Sequence, residues 1–157
     1  MGVSGSGKTT VAQGIATARG WAHAEGDEFH PAANVEKMRS GTPLTDEDRW
    51  PWLRSIADWI GAREEAGESV VVTCSALKRA YRDLLAEDNP SVVFCELHVP
   101  AEVLEERLTQ RTGHYMPASL LRSQLDTLED LAPDERGFRV RVQGGPGEVL
   151  EEVLRHL

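Results

Sequence analysis

Residues 2–9 run Gly2-Val3-Ser4-Gly5-Ser6-Gly7-Lys8-Thr9, the pattern G-x-x-x-x-G-K-[ST], and nothing else in the 157 residues restricts the fold so tightly. Glycines there let the backbone wrap closely, so that successive N–H groups point inward at a phosphate. The helix that follows adds the positive end of its dipole, Lys8 reaches the outer phosphates, and the Thr9 hydroxyl is placed to bind Mg²⁺. Chance would produce the pattern in on the order of 1% of chains this long, or fewer. A loop of this kind joins a buried strand to a helix. Only Met1 precedes Gly2. The sheet is therefore expected to lack a central strand and to show a gap between two others, as a start site placed too far downstream would produce.

Beyond the loop, β-branched apolar runs alternate with helical spacing. Strands are expected at Ala22–Glu25, Ser69–Cys74, Ser91–His98 and Arg139–Val142, and a helix over Thr10–Ala18. Apolar stripes at three- and four-residue spacing mark further helices: Leu53, Ile56, Ala57 and Ile60; Leu121, Leu125 and Leu128; Val149, Leu150, Val153, Leu154 and Leu157. Strand–helix alternation implies an α/β fold with a parallel sheet covered on both faces. The length and even composition imply one domain over residues 1–157. The balance of 17 Lys and Arg against 26 Asp and Glu, −9 in all, argues against a duplex nucleic-acid binder, which needs a basic face. No apolar run nears the roughly 18 residues of a membrane span, and no basic region with an apolar stretch opens the chain as a secretory leader would. Cys74 and Cys95 end apolar runs and read as unpaired buried thiols, which points to a reducing, cytoplasmic setting.

The loop could serve several kinds of nucleotide-binding protein. No N-K-x-D guanine-reading motif occurs, and the chain is too short for a motor or transport ATPase. A small-molecule kinase remains. Its acceptor side is expected at Glu25-Gly26-Asp27, at the carboxyl edge of the first strand, where ligands bind in open α/β sheets. One of these two carboxylates can hold Mg²⁺ through water while the other takes the proton of the attacking hydroxyl; a turn with solvated acids is the plainer alternative. His30 is a candidate hydrogen-bond donor to the acceptor. Asp46 reads as a helix N-cap. Arg49 can clamp a carboxylate with two parallel bonds, as an acidic acceptor would require. Trp52 could wall the same site, and Trp59 fits a buried helix face. Lys78 and Arg82, four apart, share a helix face that lines either an anionic pocket or a solvated edge. Arg107 and Arg111 repeat the spacing before Gly113-His114, either as cations at a helix C-terminus or as part of a phosphate-covering lid.

The phosphate loop, the Gly26-Asp27-x-x-His30-Pro31 segment and the block Pro43-Leu44-x-Asp46-x-Asp48-Arg49-x-Pro51-Trp52-Leu53 resemble bacterial gluconokinases. So do Cys74-Ser75-Ala76-Leu77-Lys78 with Tyr81-Arg82-Asp83, and Gly113-His114-Tyr115-Met116 with Ser123-Gln124. The likeness runs over essentially the whole chain. It implies a three-layer P-loop kinase fold similar to shikimate and nucleoside-monophosphate kinases, with substrate-binding helices about 31–67 and a lid about 111–120. It further implies ATP and Mg²⁺ as cofactors, D-gluconate as acceptor at its 6-hydroxyl, and a homodimer. On this resemblance Lys8, Asp27 and Arg111 are catalytic, with Asp27 as the base. Residues 2–9 with Arg107 and Arg111 bind the nucleotide, and Thr9 with Glu25 supports the metal. Asp27, His30, Arg49, Lys78 and Arg82 bind the acceptor. The alternatives are a kinase for another hydroxy acid such as shikimate, and a nucleotide-binding protein without phosphotransfer.

Overall fold

The computed structural model describes residues 1–110 and 118–157. Helix α1 (Lys8–Arg19) follows the loop directly and stops at Gly20, whose φ of 69° lets its N–H return to the Ala16 carbonyl. Strand β1 (Ala22–Glu25) runs into a 3₁₀ turn (Gly26–Phe29) and then α2 (Ala32–Arg39) and α3 (Asp46–Glu65). Strand β2 (Val70–Thr73), α4 (Arg79–Ala86), β3 (Phe94–His98), α5 (Ala101–Gln110), α6 (Ala118–Thr127), β4 (Gly137–Arg141) and α7 (Pro146–His156) complete the order. All four expected strands are present. Of the stretch expected as a lid, residues 118–120 open α6, and 111–117 lie outside the described residues.

Both strand pairs are parallel, as the alternation required. β1 pairs with β2 in the register Ala22–Val70 to Glu25–Thr73, and β3 pairs with β4 from Phe94–Gly137 to His98–Arg141. Among the described residues the two pairs form separate two-stranded sheets. The gap expected from the sequence is therefore real, and it lies between β2 and β3. Met1 and Gly2 bridge its carboxyl end. Met1 sits as one rung against β3, its amino group donating to the Cys95 carbonyl and its own carbonyl accepting from Leu97 N–H at 3.0 Å. Gly2 N–H donates to Ser75 on the other side at 3.2 Å. Behind this rung lies a cavity of about 470 Å³ lined by side chains such as Val11, Ile15, Ile60, Val72, Leu85 and Leu97. Burial there lowers the pKa of the Met1 ammonium, because the charged form has lost its water.

The apolar stripes face the core as expected except at Leu157, which lies past the end of α7 and is exposed. Leu53, Ile56, Leu104 and Val153 are fully buried, and α3 adds Trp52 and Ile60. Trp59 is only half-buried, edge-on to Phe29 and beneath the Arg63 guanidinium. Cys74 and Cys95 are free thiols, and burial pushes the Cys74 pKa up to about 11. No described helix is long and apolar enough to cross a membrane.

Candidate active site

The phosphate loop is built from backbone. Gly7 caps α1 with φ 93° and ψ 15°, a left-handed conformation that other residues adopt only under strain. No side chain caps the helix and its first turn holds no acid, so the positive end of its dipole carries no carboxylate of its own. Lys8 Nζ donates to the Val3 carbonyl at 2.9 Å, which folds the lysine across the loop. The Thr9 hydroxyl donates to Glu25 Oε2 at 3.2 Å, and Thr73 holds the same oxygen at 2.6 Å. Thr9 and Glu25, expected to act together on a metal, are thus neighbours.

Two later helices touch the loop. Arg107 Nη1 donates to the Gly5 carbonyl at 3.3 Å, and Ser4 N–H donates to Gln124 Oε1 at 2.7 Å. Arg107 therefore reaches the loop as expected. Gln124 carried no role in the sequence reading. Arg111 and His114 lie outside the described residues.

On the acceptor side the chain turns sharply after β1. Gly26 lies so close to β2 that a Cβ would collide with the Thr73 carbonyl, so only glycine fits. The turn projects Asp27 outward, its side chain 90% exposed. His30 folds back beneath it, 3.9 Å from Nε2 to Asp27 Oδ1, with its ring stacked on Trp52 at 4.1 Å between centroids. Burial lowers the His30 pKa and favours the neutral ring. We assign its proton from the bonding: Asn34 Nδ2, 3.3 Å from Nδ1, donates there, so the proton sits on Nε2, facing Asp27. Trp52 is buried, its indole N–H donating to the Gly26 carbonyl at 2.7 Å. It supports His30 from below instead of walling the pocket beside Arg49.

One turn along α3, Arg49 meets a polar cavity of about 240 Å³ lined by Asp46, Glu47, Arg49, Lys78, Tyr81 and Ser123 among others. The N-cap of α3 is Thr45, not Asp46. Thr45 and Asp48 exchange hydrogen bonds in a capping box, at 3.2 and 2.9 Å, because a carboxylate that can accept from the Thr45 N–H stands three residues on. Asp46 is thereby released for the cavity. It accepts from Lys78 Nζ at 3.0 Å and from the Tyr81 hydroxyl, and these bonds hold its carboxyl below the usual range. The same Asp46 bond raises the Lys78 pKa.

Arg82 is not brought here. Lys78 precedes α4 in an extended conformation (φ −104°, ψ 151°), so the four-residue spacing does not align the two side chains. The Arg82 side chain is 1% exposed, paired with Glu135 and donating to the Ala76, Glu129 and Asp130 carbonyls. The expectation that it binds the acceptor is corrected on that ground: it locks α4 to the loop before β4.

Contacts close a ring. The loop meets Glu25 through Thr9; Asp27 and His30 follow; His30 stacks on α3; Arg49 reaches Tyr81; and Ser123, beside Gln124, lines the cavity and returns to the loop. Residues 1–131 match a family model described as an AAA domain. The gluconokinase of Gluconobacter oxydans (strain 621H) is 53% identical over 156 residues, covering 99% of this chain and 88% of the relative. The chain belongs to the gluconokinase family. The gluconokinase structure from Sinorhizobium meliloti 1021 superposes with a TM-score of 0.87 at 49% identity, covering 99% of this chain and 87% of that one. An unliganded sugar kinase from Janibacter sp. HTCC2649 gives 0.94 at 56%, covering 99% and 90%. Within a gluconokinase-family fold of the P-loop kinase type, the ring joins a phosphate loop to a polar cavity that Arg49 and Lys78 line.

Proposed function

We propose that the chain transfers the terminal phosphoryl group of ATP to the 6-hydroxyl of D-gluconate, giving 6-phospho-D-gluconate and ADP. The observation that carries this reading is the meeting of Arg49 and Lys78 at Tyr81, in a cavity that shares α6 with the phosphate loop. A sugar acid needs a cation at its carboxylate and a base at its distal hydroxyl. Arg49 offers the fork geometry that a carboxylate matches, and Lys78 adds a point charge beside it. Asp27, exposed and acceptor-only when ionised, takes the proton of the 6-hydroxyl. His30 Nε2–H orients that hydroxyl from the adjacent side.

Lys8 and the loop amides hold the phosphates, and Arg107 and Arg111 supply further positive charge to them. Positioning and charge neutralisation then do most of the catalysis. Thr9 and Glu25 fit Mg²⁺: both offer hard oxygen donors 3.2 Å apart, and no described cluster of three or more acidic, His or Cys side chains competes for it. A single carboxylate suits an ion held largely by water and substrate phosphates. Bound there, it would supply positive charge to the β- and γ-oxygens. The same reading carries a homodimer, which sedimentation measures directly.

The test is ADP release with gluconate, shikimate and sorbitol as acceptors. Gluconate should be strongly preferred. Faster turnover of shikimate would redirect the reading to another hydroxy acid. An ATP-dependent rise in melting temperature with no turnover of any acceptor would reduce it to nucleotide binding.

A further inference from the structure

The cavity places two cations, Arg49 and Lys78, close together, and their directions must be fixed. Tyr81 touches both. Its side chain is fully buried, with Trp50 edge-on to its ring at 5.3 Å. Arg49 Cζ lies 5.4 Å and Lys78 Nζ 5.7 Å from the ring centroid, within the range in which an aromatic ring attracts a cation. The hydroxyl adds direction to this attraction. A phenol has one proton, and Asp46 can only accept, so the Tyr81 proton goes to Asp46. The oxygen's lone pairs are then left to receive Arg49 Nη1 at 3.3 Å. Asp46, itself held by Lys78, thus determines which way Tyr81 faces, and Tyr81 determines where Arg49 points.

We propose that Tyr81 is a positioning residue for acceptor specificity: its hydroxyl, oriented by Asp46, aims the Arg49 guanidinium at the acceptor's carboxylate. This rests on the reading that Arg49 meets an acidic acceptor. It assigns Tyr81 no bond to the reacting atoms, so the chemical step should not depend on its hydroxyl. A purely structural Tyr81 would instead affect stability, or affect both substrates alike.

Tyr81→Phe keeps the ring and removes only the hydroxyl, and it is measured beside Arg49→Leu and the double variant. A hydrogen bond to a charged group typically accounts for about a tenfold effect, so KM for gluconate should rise about tenfold. kcat and KM for ATP should stay near wild type. In the Arg49→Leu background the Tyr81→Phe change should add almost nothing, because the group it aims is gone. Melting curves on each protein establish folding, and Asp46→Asn, which leaves the ring in place, supplies a second route should Tyr81→Phe fold poorly: it too should raise KM for gluconate alone. Equal effects of Tyr81→Phe with and without Arg49, or a loss confined to kcat, would overturn the proposal. If Arg49→Leu itself leaves the preference for acid over polyol unchanged, the underlying reading of Arg49 fails instead.

Discussion

The phosphate loop and the cavity at Arg49 and Lys78 are built in opposite ways. The loop is one contiguous run of backbone, residues 2–9, with a glycine as its helix cap. The cavity uses side chains from segments far apart in the chain: Asp46 and Arg49 from the start of α3, Lys78 just before α4 and Tyr81 in its first turn, and Ser123 from α6. A backbone site is indifferent to most side-chain changes but depends entirely on its conformation. A side-chain site is adjustable residue by residue, so it is where a kinase of this family can tell one acceptor from another.

Substitutions should separate the two kinds of construction. The largest effect is expected at Lys8, the charged side chain on which the loop depends. Lys8→Ala should lower kcat by well over tenfold, since removing a charge from the developing transition state typically costs several kcal/mol. Its melting temperature should stay near wild type. Turnover above roughly a tenth of wild type, an effect below ~1.4 kcal/mol, would mean that Lys8 does not serve the transferred group.

Arg82 should behave in the reverse manner. Removing one partner of a buried ion pair typically costs about 3–5 kcal/mol, so Arg82→Met should lower the melting temperature by on the order of 10 °C. Glu135, whose pKa the Arg82 bonds hold down, would be left buried without its cation. The folded fraction should keep the wild-type KM for gluconate. A raised KM with unchanged stability would return Arg82 to the acceptor pocket.

The smallest effect lies at the capping box. Hydrogen bonds from Lys37 Nζ and then Thr45 N–H hold the Asp48 pKa at about 2, down from 3.8. A folded-state pKa below the unfolded one contributes stability that is complete above the unfolded value and lost as pH falls through the folded one. The contribution should therefore fade between about pH 4 and pH 2. Acid titration of Asp48→Asn should show a flatter stability profile across that window. Identical profiles would remove Asp48 from the account.

How much of this could be read in advance follows the same division. Every strand was legible, β2 most plainly from its run Val70–Val72, and a gap between two strands was expected, though not which two. Thr9 and Glu25, grouped from the motif, and Arg49 and Lys78, grouped through the resemblance, are neighbours in the fold. Arg82 was not, because helical spacing was applied across Lys78, which stands outside the helix. Asp46 was misread as a cap because Thr45, one residue earlier, is an equally good capping residue and has Asp48 three positions on. Tyr81 and Gln124 stood inside the motif blocks of the resemblance but were given no role: each makes its contact more than thirty residues away, to Asp46, Arg49 or Ser4, and only the folded chain supplies it.

The account turns on Arg49 reading a carboxylate, and the direct test is kcat/KM for gluconate against sorbitol in wild type, Arg49→Lys and Arg49→Leu. A planar guanidinium left unpaired by a neutral acceptor opposes its binding, so wild type should strongly favour the acid. Arg49→Leu should lose most of that preference, chiefly through a raised KM for gluconate. Arg49→Lys should recover only part of it, since a point charge cannot make the two-pronged contact. An acid-to-polyol ratio that is unchanged in Arg49→Leu would contradict the account and move the carboxylate to Lys78.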